Sequence, residues 1–121
     1  MISAAIQTAI AAIIPNTYTA MGDEEIITPY CVHKESGEPQ YLKAGIVGYE
    51  YQCEVAIIDD TPDAVELLVQ SVKNAILALA GTTSSSTAIS SVTWLADDPD
   101  FDPDARMYIS LLKFLIHTTN R

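Results

Sequence analysis

Five aspartates fall within the stretch Asp97–Asp104, separated by Pro99, Phe101 and Pro103. Asp98, Asp100 and Asp102 reproduce the first three ligand positions of a calcium-binding loop, where alternate carboxylates converge on one hard cation. The imitation stops there. The sixth position is Pro103, where a glycine makes the sharp turn, and the twelfth is Ile109, where a bidentate glutamate closes the site. The segment reads instead as a solvated hairpin loop whose charges and prolines block edge-to-edge pairing. Cys31, His33, Cys53 and His117 are a nominal zinc set, and Cys31 and His33 share a strand face. The tight ligand pairs of structural zinc sites are missing, so they read as core cysteines and partly exposed histidines. Glu50 and Glu54 project from one strand face as a carboxylate pair. Nuclease-like chemistry adds a lysine beside such a pair, but Lys43 and Lys73 belong to other elements. The hydroxyls of residues 82–87 have no Gly-x-Ser-x-Gly elbow, and no glycine-rich phosphate loop is present. No catalytic, cofactor or metal-binding residue is assigned, and the chain reads as a non-enzyme.

The elements that position these residues are legible from periodicity. Ile2, Ile6, Ile10 and Ile13 make one helical stripe over residues 2–14, ended by Pro15 and Asn16. A loop through Met21–Glu25 leads to a short strand over 26–33, whose Pro29 suits an edge or a strand start. Glu35–Pro39 reads as a turn. The strand Gly48–Asp59 alternates cleanly, with Tyr49, Tyr51, Cys53, Val55 and Ile57 on one face and Glu50, Gln52 and Glu54 on the other. Alternation weakens at Ala56 and Ile58, which predicts cover on both sides there. Thr61 as N-cap, Pro62 at the first helical position and Asp63 in the first turn open the main helix. Val65, Leu68, Val69, Val72, Ile76 and Leu79 form its apolar stripe, and Gly81 its stop. Residues 82–87 read as a polar loop, and Ala88–Leu95 as a third strand bearing Trp94. Met107–Thr118 is a fourth strand, apolar on both faces at Leu111, Leu112, Phe114, Leu115 and Ile116, which predicts a central, doubly covered position. The order is αββαββ: an α+β fold, a small mixed or antiparallel sheet with two helices packed on it, in one domain over residues 1–121.

Composition narrows the partners. With 6 basic and 16 acidic residues, the formal charge is −10. Phosphate neutralisation needs clustered Lys and Arg, so adhesion to nucleic acid is disfavoured, as is an anionic membrane surface. At 49% apolar residues the chain is too hydrophobic for disorder. The two cysteines sit in apolar strand patterns and read as reduced thiols of a cytoplasmic protein, with a cross-strand disulfide left open. The apolar stretch Met1–Ile14 lacks a basic flank and is too short to span a bilayer.

Short motifs along nearly the whole chain resemble the tail completion, or tail terminator, proteins of long-tailed bacteriophages and prophages. They are Pro29-Tyr30-Cys31-Val32 after a first helix, the strand Gly45–Val55, the helix entry Asp60–Leu67, and an acid-rich segment running into a tyrosine-bearing terminal strand over Asp104–His117. Asn16-Thr17-Tyr18 departs from the family's Arg-Val-Tyr-like stretch, and the loop at 82–87 is plainer than usual. The resemblance implies a homo-hexameric ring that caps the tail tube and joins it to the head–tail connector, in the virion tail, assembled in the host cytoplasm. It carries no catalytic residues.

The residues make such a ring physically reasonable. Two helices cannot hide a sheet that is apolar on both faces, and further copies of the chain complete the burial. Tyr49 and Tyr51 are candidate subunit-interface anchors and equally good core residues. Glu50, Glu54, Asp97, Asp98, Asp100 and Asp102 are candidates to face a channel through which DNA passes unbound, because carboxylates repel phosphate. Other readings stay open: a head–tail connector or neck protein, a small bacterial binding module, and a metal-dependent nuclease or hydrolase.

Overall fold

The computed structural model describes residues 2–15, 17–18, 29–42, 45–84, 87–103 and 106–120. In chain order the elements are α1 (Ile2–Ala11), β1 (Thr17–Tyr18), β2 (Tyr30–Leu42), β3 (Gly45–Asp59), α2 (Pro62–Leu77), β4 (Thr83–Ser84), β5 (Thr87–Asp102) and β6 (Met107–Asn120). The two helices and four long strands follow the predicted αββαββ order of an α+β fold, and the two-residue β1 and β4 extend its margins. The strands lie in the order β1-β2-β3-β6-β5-β4. Every described pairing is antiparallel except β1 with β2.

Both helices cover the same face of the sheet. On α1 the buried stripe is Ile2, Ile6 and Ile10, and Ile14 completes it where the sequence points to Ile13. The cause is local. The helix ends at Ala11, and a turn in which the Ile13 and Ile14 amides both donate to the Ile10 carbonyl (2.9 and 2.8 Å) rotates Ile14 inward. On α2 the Thr61 hydroxyl accepts from the Ala64 amide at 3.2 Å, and Pro62 and Asp63 occupy the first turn as predicted. Val65, Val72 and Ile76 are buried, with Leu68, Val69 and Leu79 partly so. The helix stops at Leu77, before Gly81. Gly81 has φ +84° and donates to the Ile89 carbonyl at 2.7 Å, so it turns the chain into β4, alongside β5, instead of capping the helix. From β3 and β6 come Cys53, Val55, Ile57, Leu112, Phe114 and Ile116, all buried with the helical isoleucines in one core. Full burial of each such aliphatic side chain is worth about 1.5–3 kcal/mol. Lys73 on α2 sits 3.6 Å from the Trp94 ring centroid on β5, a cation–π contact tying the helix to that strand.

Three predicted turns are strands instead. Glu35–Pro39 continues β2, because each of its residues has a partner on β3, from Glu35 opposite Cys53 to Pro39 opposite Tyr49. The Tyr51 ring covers Gly37 so closely that an added Cβ would lie 2.5 Å from Cε1, which explains a glycine in mid-strand. Beyond Val32 no described strand flanks the outer side of β2, so Pro39 sits on an edge, where a missing amide hydrogen is tolerated. The acidic stretch likewise extends β5 to Asp102, each residue paired with β6, and the chain reverses only after it. Residues 82–87 hold β4, which pairs with Thr87 and Ala88. The predicted loop Met21–Glu25, the first three residues of the predicted strand at 26–33, and Asn16 lie outside the described residues. β6 is central, between β3 and β5, yet it is not sandwiched: both helices lie on one side, and its Ile109, Leu111 and Leu115 remain half-buried on the other. Ala56 and Ile58 point to that same side, where Ala56 is half-buried but Ile58 is buried, in line with the cover predicted there.

Candidate functional site

Residues directly opposite in an antiparallel ladder project to the same side, so the register assigns each candidate to a face. Glu50 and Glu54 alternate with the buried Cys53 and Val55 and so lie on the open face. Asp98, opposite Leu111, and Asp100, opposite Ile109, share it, as does Asp102 opposite Met107. Five of the six predicted carboxylates are therefore brought to one surface. Asp97, opposite the buried Leu112, lies on the helix side. On an extended strand alternate residues stand roughly 7 Å apart, so Asp98, Asp100 and Asp102 fan along the sheet instead of converging on one ion. Among the described residues no group of three or more His, Cys, Asp or Glu side chains is placed to hold a metal ion.

Charge on this face is ordered by rows. Glu54 lies between Lys34 on β2 and Lys113 on β6, and Lys113 reaches Asp98 at 3.7 Å. Glu50 lies between Glu38 and His117, so one end of the face sets two carboxylates side by side. At the opposite end the rows are apolar: Val32, Ala56 and Leu111, then Tyr30, Ile58 and Ile109. The open face thus combines an apolar band over its central strands with an acidic end and an acidic β5 margin. The sequence gives both faces of β6 as apolar, but the uncovered band becomes visible only once both helices are seen on one side.

Tyr49 and Tyr51 lie on the helix side, with ring centroids 5.8 Å apart. Tyr51 packs against the core, and its hydroxyl pKa is raised by desolvation and then by the neighbouring Tyr49.

A polar cluster that the sequence does not disclose lies under α1. His33 is fully buried, with Nδ1 2.5 Å from Glu35 Oε1 and Nε2 2.6 Å from Gln7 Oε1. The Gln7 amide nitrogen donates to the Thr17 carbonyl at 3.0 Å, which fixes its oxygen toward His33. With the Gln7 oxygen facing it, Nε2 serves as the donor to Gln7, and Nδ1 lies against the Glu35 carboxylate. The Thr17 hydroxyl donates to the Ile14 carbonyl, so α1, β1 and β2 are joined through one chain of hydrogen bonds. The sequence reading makes His33 partly exposed; the structure buries it, because the Gln7 and Glu35 oxygens satisfy both ring nitrogens. Cys31 and Cys53 are free buried thiols. Burial pushes Cys31 up to about 12 from 9.0. Cys53 is moved further in the same direction, by burial first and then by Glu35, Cys31 and Glu54.

No protein-family model and no curated protein matches the sequence. Twenty-four chains of solved structures do match. One belongs to the virion of a native gene transfer agent particle: it is 17% identical, with a TM-score of 0.75 over 92% of this chain and 84% of that one. At this identity the likeness establishes a shared fold.

Proposed function

We propose that this chain is a non-enzymatic structural protein of a phage, prophage or phage-like particle, its 121 residues acting as one domain. In finer detail, it assembles as a homo-hexameric ring that caps the tail tube and joins it to the head–tail connector. The observation that carries this reading is the fold shared, over nearly the whole length of both chains, with a component of a gene transfer agent virion. The bare apolar band supports self-assembly. Val32, Ala56, Ile109 and Leu111 keep partly exposed side chains on a face that neither helix covers, and a neighbouring copy or the tube would complete their burial. The carboxylates of that face, Glu50 at its acidic end, Asp98 on the β5 margin and Glu54 between them, then border the channel and repel the passing DNA backbone. Tyr49 remains a candidate contact at the ring's outer side.

The test is electron microscopy with light scattering, on the protein alone and on the protein mixed with tail tubes. Six-fold annuli, free or seated on tube ends, are the expected result. A particle that stays monomeric at every concentration and leaves tube ends bare would defeat the ring. Seating on the connector but never on the tube would instead identify a neck protein.

A further inference from the structure

We infer that the groove between the first half of α2 and the end of β5 is a docking site for an extended segment of a different protein, one that alternates apolar and cationic side chains. The groove encloses about 320 Å³ and is floored by Pro62, Val65 and Val69 from the helix and by Pro99 and Tyr108 from the sheet. That volume lies at the lower end of the range for ligand sites, roughly 300–1,000 Å³. Glu66 and the helix-side Asp97 also line it, Asp100 meets it from a strand position whose side chain belongs to the open face, and no lysine or arginine lines it. Glu66 from the helix and Asp97 from the strand bring two negative charges to one apolar hollow, and a cationic side chain seated there is attracted by both. A second hollow, lined by Asp63, Glu66, Leu67 and Gln70, adjoins the first through Glu66. It contains Leu67, whose exposure of 73% is the highest of any large hydrophobic residue among the described residues. Apolar floor, acidic walls and an exposed leucine at one end suit a strip of side chains better than a compact small molecule.

Charge complementarity selects the occupant. A second copy of this chain supplies it poorly. Among the described residues its cations are Lys34, Lys73, Arg106 and Lys113; Arg106 and Lys113, nearest to each other, stand seven positions apart, so no segment carries cations at alternate positions. Lys73 is already on Trp94, and Lys113 is beside Asp98. Two copies at −10 also repel. The bound segment runs beside β5, whose outer edge no described strand occupies beyond Ala88. Pro99 interrupts backbone pairing there, so recognition rests on side chains. This site stands whether or not copies of the chain form a ring.

The test uses a fluorescein-labelled peptide of about ten residues alternating leucine with lysine, titrated with the full chain at low salt and read by anisotropy. Companion peptides alternate serine with lysine, or leucine with glutamate. Saturable binding of the leucine–lysine peptide is expected, with affinity at least ~10-fold lower for either companion. Glu66→Lys with Asp97→Lys should weaken it by ~10-fold or more, whereas Glu38→Lys with Glu54→Lys, the same change of net charge on the open face, should leave it within ~2-fold. Amide shifts at Val69 and Tyr108 on titration locate the contact independently of any variant. Equal losses from both double variants would reduce the effect to diffuse attraction and overturn the site. Absence of binding, or binding indifferent to Glu66 and Asp97, would overturn it as well.

Discussion

A buried imidazole whose two nitrogens both face oxygen atoms constrains its neighbours more than any surface residue does. Replacing Glu35 with alanine removes the partner of His33 Nδ1 and leaves a buried polar atom unsatisfied, a loss of about 1–3 kcal/mol. Glu35→Gln keeps a hydrogen-bonding group at the same place and should cost under about 1 kcal/mol; chemical denaturation distinguishes the two. The thiols make a second residue-scale prediction. An unfolded cysteine ionises near 9.0, but Cys31 in the fold ionises near 12. Below pH 9 the thiol is neutral in both states and pH has no leverage through it. Above pH 9 only the unfolded chain loses the proton, so stability falls by about 1.4 kcal/mol per pH unit for each such thiol up to the folded value. Unfolding curves between pH 8 and 11 should show this decline, and Cys31→Ala should lessen its slope. At this scale the sequence shows residue type and face but not partnership: the core role of Cys53 follows from alternation, whereas the Gln7–His33 contact spans 26 positions and needs the helix docked.

At the scale of elements, the helix signals translate directly into structure because they are local. Thr61, Pro62 and Asp63 act on the first turn of α2 alone, and Thr61→Ala should cost roughly 1 kcal/mol in thermal denaturation. Strand limits are non-local. Glu35–Pro39 and Asp97–Asp102 have turn-like compositions, yet a full ladder of partners on β3 and β6 holds them extended. That is why the sequence, read one segment at a time, ends both strands early. Two glycines separate local from cross-strand constraint. At Gly48 an added Cβ would lie 1.9 Å from the backbone oxygen of Thr118, so Gly48→Ala must push β3 and β6 apart and should cost several times more than Gly37→Ala. At Gly37 the obstacle is the Tyr51 ring, a side chain able to turn away. Paired melting curves of the two variants are the measurement.

For the molecule as a whole, helices on one side leave a sheet with two dissimilar surfaces, and the proposed ring depends on the bare one. Leu111→Lys places a charge in the apolar band without touching the helix-side core. It should abolish assembly in light scattering while shifting the melting temperature by only a few degrees. Because every copy carries −10, assembly should also strengthen as salt rises: screening shortens the repulsion to about 8 Å at physiological ionic strength, while apolar contacts persist. Weaker association in salt would point to ion pairs as the glue. The outer contour of β5 has one more consequence. Its ladder is offset between Ile89 and Ser91 and again between Trp94 and Ala96, and Pro99 follows. A strand so irregular is a poor template for amyloid-like stacking. Surplus copies made ahead of need should therefore stay dispersed and recoverable, and a variant with the irregularities straightened should form fibres in storage.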